Sequence, residues 1–174
     1  MAIVAMAPAW PIRRAVALTD GEVDVMRRSW RRLLAVGAKV ADSLDPLERP
    51  PGEWRRRLDA GAYRILFEEA TERAHSSGLN GEKRPGVYVC AACDLPLFTS
   101  EMKYDSGTGW PSFFTHIPDR LGTRLDFRLI LPRTEYHCIK CGGHHGHVFD
   151  DGPPPTGERW CNNGDALRFI PLSS

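Results

Sequence analysis

Cys138-Ile139-Lys140-Cys141-Gly142-Gly143-His144-His145-Gly146-His147-Val148-Phe149 runs a Cys-x-x-Cys turn directly into a segment bearing three histidines. Such a turn presents two thiolates from one backbone knuckle, and a second pair, Cys90 and Cys93, stands upstream. Together they offer the four soft ligands that a tetrahedral zinc ion takes. The gap between the pairs is longer than in a zinc ribbon, so the metal is expected to tie two hairpins together across intervening sheet. Disulfides are the competing use of four cysteines, but they are typical of small, cysteine-dense secreted domains.

The fifth cysteine, Cys161, lies in Arg159-Trp160-Cys161-Asn162-Asn163. A lone cysteine is either a buried structural thiol or a nucleophile, and a nucleophile needs neighbours that favour the thiolate. Arg159 and Asn163 share a face with Cys161 if this segment is a strand. The histidines hang off a metal-anchored loop, a rigid place from which to aim an imidazole. Singly, each is a surface residue, a hydrogen-bonded core residue or a fifth metal ligand; as a cluster behind a closed four-cysteine site they point to proton chemistry.

A third element is Tyr104-Asp105-Ser106-Gly107-Thr108-Gly109-Trp110-Pro111-Ser112-Phe113-Phe114. The glycines permit a tight course, and Pro111 cannot donate to a sheet ladder, so Trp110 belongs at a loop or strand edge. It is either core or the wall of a pocket, where an aromatic face holds a sulfur-bearing group well.

The chain from about Glu53 to Leu172 resembles the methionine-(R)-sulfoxide reductases, the MsrB family. The resemblance is carried by Ala70-Thr71-Glu72-Arg73, by the Gly109-Trp110-Pro111-Ser112 block, by Arg133-Thr134-Glu135, by Gly143 to Phe149 with Asp151-Gly152-Pro153, and by Arg159 to Asn163 leading to Leu167-Arg168-Phe169. It implies that Cys161 is the nucleophile and that Trp110 packs on the substrate methyl group. It implies that His144, His147 and Asn163 bind and polarise the sulfoxide oxygen, and that Cys90, Cys93, Cys138 and Cys141 hold a structural zinc. His147 is the expected acid, Arg159 the residue that favours the thiolate beside the substrate. Substrates are then oxidised proteins or peptides, and the partner is thioredoxin or another thiol reductant.

The chain departs from many relatives in places. Thr108 stands where some carry a resolving cysteine, so Cys161 has no second free thiol and a one-cysteine cycle is expected. His145 and Asn162 replace less polar residues; they either add polarity near the pocket or face solvent.

Composition sets wider limits. A net charge of +1 over 174 residues shows no bias toward nucleic acid, and no stretch is long enough to span a membrane. A mainly β fold is expected: two small antiparallel sheets facing each other, zinc at one end, preceded by short helices. Leu125, Phe127, Leu129 and Leu131 alternate with Arg124, Asp126 and Arg128, which predicts one strand; Gly86 to Cys90 and Ala166 to Ile170 predict others. Helices are expected over Glu53–Leu58 and Tyr63–Ala70. The division is an N-terminal extension over 1–50, partly helical or disordered, and a catalytic domain over 51–174, acting as a monomer.

Thr19-Asp20-Gly21-Glu22 has capping-box spacing and opens a helix expected to reach Val36. Three readings stand for this region: a solvated amphipathic helix or frayed extension, a degenerate export signal around Arg31-Arg32-Leu33-Leu34, or an upstream start with Met26 as the true first residue. The cytoplasm is the default compartment and export the alternative. Two other functions compete with the reductase. A zinc-stabilised binding module needs the cysteine pairs but not Cys161, His147, Asn163 and Trp110 together; a cysteine hydrolase leaves the Gly-Trp-Pro-Ser block without a role.

Overall fold

The computed structural model describes residues 18–172. Two antiparallel sheets make the body of the molecule. The smaller has strands β1 (Gly86–Cys90), β2 (Pro96–Thr99) and β9 (Leu167–Pro171), in the order β2-β1-β9. The larger comprises β3 (Lys103–Tyr104), β4 (Ser112–Phe113), β5 (Leu121–Asp126), β6 (Arg133–Cys138), β7 (His144–Phe149) and β8 (Arg159–Asn162), in the order β3-β4-β8-β7-β6-β5. This is the two-sheet, mainly β fold expected from the sequence.

Aromatic residues join the sheets. Phe98 stacks on Phe113 with ring centroids 4.1 Å apart, Tyr88 meets Phe113 edge-on at 5.0 Å, and Phe98 meets Tyr136 edge-on at 6.3 Å. On the large sheet, Phe113, Trp160 and Val148 are opposite one another in register, so they share its inner face. Cys161 and His147, one residue along each strand, project from the other face.

Every residue of β1 and β2 is buried, which means the small sheet is covered on both sides. The second cover is the N-terminal segment. Helix α1 (Asp20–Arg28) begins with the expected capping box, in which Thr19 N–H donates to Glu22 Oε2 at 2.8 Å and Glu22 N–H to Thr19 Oγ1 at 3.3 Å. It stops at Arg28 rather than near Val36; a 3-10 turn, Trp30–Leu33, follows. Val23 and Trp30 enter the main core, and Leu33 packs with Val87 and Val89. Guanidinium groups of Arg31 and Arg120 lie over the Trp30 ring at 4.6 and 4.7 Å. The amphipathic helix expected here forms with most of its residues exposed, while the apolar side chains of Val23, Trp30 and Leu33 are buried against the body of the molecule. Farther along, Ala41 N–H donates to Asp94 O at 2.9 Å and Leu47 N–H to Lys140 O at 2.7 Å, so one segment straps both cysteine knuckles.

Helices α2 (Pro51–Arg57) and α3 (Ala60–Glu68) begin slightly earlier than expected, with Pro51 opening α2 and the Asp59 carboxylate capping α3 through Ala62 N–H at 2.8 Å. Trp54 of α2 stacks on Phe67 of α3. The strand expected through Leu131 ends instead at Asp126, and residues 127–132 form the exposed tip of the β5–β6 hairpin.

Candidate active site

Register places the reactive groups in a row. Ser112, Cys161, His147, Glu135 and Arg124 stand directly opposite one another on β4, β8, β7, β6 and β5. Directly opposite residues share a face with Cβ atoms roughly 4.5–5.5 Å apart, so the thiol of Cys161 is flanked by the imidazole of His147. The close approach of β7 and β8 requires Gly146: a Cβ there would lie 1.9 Å from the Cys161 carbonyl oxygen.

A bulge brings the second histidine to the same face. Pairing runs Tyr136 with Gly146 and then His137 with His144, which leaves His145 as the extra residue. Strict alternation would send His144 and His147 to opposite faces; the inserted residue returns His144 to the site, its ring 5.5 Å from that of His147.

Each imidazole is backed by a carboxylate. His147 Nε2–H donates to Asp126 Oδ2 at 2.8 Å, and His144 Nδ1–H donates to Glu135 Oε1 at 2.7 Å. The Arg128 backbone N–H, then His147 and Arg133, hold the Asp126 carboxyl well below the usual carboxylate range. Burial would raise Glu135, but its bonds to Arg124 and His144 prevail and hold it low. Ionised carboxylates accept, so the bonded ring nitrogens carry the hydrogens and the other nitrogens, His147 Nδ1 and His144 Nε2, present lone pairs. Burial lowers both histidines against the opposing pull of their carboxylates, so both rest neutral near pH 7.

Cys161 is half-buried. Burial pushes its thiol up, while the Arg159 charge and the nearby Thr108 pull it down without cancelling the rise. Arg159 itself is gripped by Asp151 through bonds of 2.7 and 2.9 Å and lies 4.2 Å over the Phe149 ring. It acts on Cys161 chiefly through its charge, from a position set by Asp151.

Asn163 and Trp110 meet at Glu72. Asn163 Nδ2–H donates to His145 O at 3.0 Å, and its Oδ1 accepts from Glu72 N–H at 3.0 Å. Both ends of the amide thus hold main chain, the histidine bulge on one side and Glu72 on the other. Trp110 Nε1–H donates to Glu72 O at 3.2 Å, and the Glu72 carboxylate accepts from Gly164 N–H at 2.7 Å and Asp165 N–H at 3.0 Å. Trp110 is half-buried. It is braced by Gly109, whose φ of +90° and contact with His75 leave no room for a side chain.

His145 and Asn162 point the other way. His145 is fully buried beside Tyr136, and Asn162 Oδ1 accepts from the Tyr136 hydroxyl at 2.7 Å. Neither faces solvent as one reading expected. In the sequence, Glu72 and Glu135 are named only within blocks and Asp126 only within an alternating stretch, without a role for any of them; for Glu135, its spacing of two from Arg133 on one strand is the available signal.

At the far end, the sulfurs of Cys90, Cys93, Cys138 and Cys141 all lie within 4.8 Å of one another, Cys90 to Cys141 at 3.6 Å and Cys93 to Cys138 at 3.5 Å. Zinc–sulfur bonds of about 2.3 Å in a tetrahedron require sulfurs about 3.8 Å apart. Four converging thiols, three of them buried, fit a closed metal site.

A thiol facing a carboxylate-backed histidine, on a sheet with four thiols at its far end placed to bind a metal ion, defines a candidate cysteine-based site. Comparison with known proteins makes this specific. The SelR domain family matches residues 58–171. A protein of Hahella chejuensis named peptide methionine sulfoxide reductase MsrB is 46% identical over 127 residues, 72% of this chain and 91% of that protein. One of the same name from Agrobacterium fabrum is 44% identical over 135 residues, 76% of this chain and all of that protein. Peptide methionine sulfoxide reductase B1, chloroplastic, of Oryza sativa subsp. japonica is 50% identical over 118 residues, 67% of this chain; the chain spans only 55% of that protein's length, and 60% of its Arabidopsis thaliana counterpart. The chain belongs to the MsrB family.

Proposed function

We propose that this protein reduces methionine sulfoxide, as the R epimer in peptides and oxidised proteins, through the thiol of Cys161. The observation that carries the reading is the facing of Cys161 and His147 across β8 and β7, with Asp126 behind the imidazole. Preference for the R epimer and for peptides rests on the family resemblance.

At rest Cys161 is a thiol and His147 a neutral base with Nδ1 free. His147 takes the thiol proton as the sulfur attacks the sulfoxide sulfur, and the imidazolium that results is stabilised by Asp126. It then returns the proton to the departing oxygen, serving as the acid. The attack joins Cys161 to the substrate sulfur by an S–S bond; the protonated oxygen then passes from that sulfur to Cys161 as the S–S bond breaks, so methionine leaves as the thioether and Cys161 becomes a sulfenic acid. Trp110 walls the site where the S-methyl group is held. Glu72 and Asn163 fix the indole and the histidine bulge in relation to each other.

Regeneration uses an external dithiol, with thioredoxin as the reductant. One of its thiols displaces water from the sulfenic sulfur, and the other releases Cys161 from the mixed disulfide. Zinc is the metal of the four-cysteine site, holding β1 to β6 and the histidine loop. The reductase unit spans 51–174 and works as a monomer, with 1–50 as its extension. The cytoplasm suits a chain that depends on reduced thiols.

Incubation with a methionine sulfoxide peptide and dithiothreitol tests the reading. Consumption of the R epimer by the wild type, lost in Cys161→Ser, supports it; zinc-loaded protein that consumes neither epimer favours a binding module.

A further inference from the structure

The hairpin tip beyond Asp126 is built inside out. Its polar groups are committed to one another and to the sheet: Arg124 bonds Glu135 at 2.6 Å and pairs with Glu69, Arg128 pairs with Glu69, and Arg133 bonds Asp126 at 2.7 Å. Its apolar side chains are left to solvent, with Phe127 69%, Leu129 55%, Ile130 101% and Leu131 77% exposed, together with Leu125 at 62% on the adjoining end of β5. Half of the large apolar side chains exposed among the described residues fall in this one stretch. Single exposed apolar residues are ordinary; a contiguous run rimmed by paired charges marks a contact surface.

The tip is also rooted in the site. Asp126 ends β5, accepts from His147 Nε2–H at 2.8 Å, and accepts the Arg128 backbone N–H at 2.9 Å. From β8 to β5 is three strand spacings, roughly 14 Å, so the tip lies on the order of four to six extended residues from the Cys161 sulfur.

We propose that the 127–131 tip docks the apolar flank of an unfolded polypeptide whose methionine sulfoxide is at Cys161. Methionine in folded proteins sits among apolar neighbours, and its oxidation disrupts cores. A damaged chain therefore offers the sulfoxide together with apolar residues a few positions away, which is what a surface at this distance can grip. This deepens the reductase reading and rests on it.

The test compares wild type with the triple variant Phe127→Ser, Ile130→Ser, Leu131→Ser, all exposed positions outside the reacting groups. Substrates are N-acetylmethionine sulfoxide amide and peroxide-oxidised casein, an unfolded chain. Binding of oxidised casein is measured in parallel without reductant. The expected result is a KM for oxidised casein raised about tenfold, which corresponds to about 1.4 kcal/mol, weaker casein binding by a similar factor, and unchanged turnover of the amide. Unchanged casein binding and KM would overturn the proposal. So would equal losses on both substrates, or a wild-type dimer that the variant dissolves while casein KM stays the same. If the wild type fails on the amide, the reductase reading fails, and the casein binding ratio still decides the docking surface.

Discussion

His147 donates its Nε2–H to the Asp126 carboxylate at 2.8 Å from a strand position directly opposite Cys161. That bond sets the imidazole tautomer, leaving a lone pair on Nδ1, and places an anion beside the ring that would stabilise an imidazolium in the proposed reaction. Asp126→Asn keeps the shape and removes the charge. Its kcat should fall by about 10²-fold, the scale of one proton-transfer partner, with a thermal midpoint near that of the wild type. Since Asp126 also bonds Arg133, Arg133→Ala is the control; full activity in Asp126→Asn would take His147 out of proton transfer.

The pH profile should follow the same residues. Burial lowers His147 and His144, so the neutral imidazoles persist to lower pH and the acid limb of kcat/KM should lie below the ordinary histidine range. Asp126 pulls His147 upward, so Asp126→Asn should move that limb lower still. Burial raises the Cys161 thiol, so its alkylation by iodoacetamide should keep accelerating above the usual cysteine range. Arg159→Ala removes a downward pull and should shift alkylation to yet higher pH; a shift toward lower pH would contradict the charge assignment.

Thr108 is near enough to Cys161 to help lower its thiol. Thr108→Cys should therefore give an internal disulfide with Cys161 after one turnover, seen by peptide mass spectrometry. The zinc-loaded wild type should show no internal Cys161 disulfide, and finding one would end the one-cysteine cycle.

Metal removal should unfasten the end of the molecule where the knuckles and the strap meet. Ala41 and Leu47 bond Asp94 and Lys140, one residue past Cys93 and one before Cys141. A chelator should release about one zinc per chain, as a tetrahedral four-thiolate site requires, and lower the thermal midpoint, with activity returning when zinc is restored. Full stability after complete metal loss would contradict a structural role.

Trp30→Ala should cost about 3–5 kcal/mol of stability, the range for truncating a large buried aromatic. Turnover by the remaining folded protein should be unaffected, because Trp30 lies in the core away from the reacting face. A change of less than ~0.5 kcal/mol would return this segment to the status of a solvated extension.

Much of this was legible in the chain. Cys-x-x-Cys spacing gave the metal site because two residues between ligands is a local constraint, and the capping box gave the start of α1 for the same reason. The reach of α1 was misread because Val23, Trp30 and Leu33 fit a helical period, while the sheet that Trp30 and Leu33 must cover lies more than fifty residues downstream (Gly86–Cys90). Residues 124–131 alternate as a strand should, but their apolar side chains have no facing layer, and alternation alone carries no information about a partner. The coincidence of His144 and His147 on one face depends on a bulge set by pairing with β6, which lies beyond local sequence. The roles of Asp126 and Glu72 likewise arise from residues more than twenty positions distant, His147 in one case and Asn163 in the other.

The central claim is that the sulfoxide oxygen passes to Cys161. A single turnover without reductant, using methionine sulfoxide labelled with heavy oxygen, measures it directly by mass spectrometry of the intact protein and its peptides. The account predicts one labelled oxygen on Cys161, absent from Cys161→Ser and sharply reduced in His147→Ala. Methionine formed while Cys161 stays unmodified, or carries only oxygen from water, would contradict it.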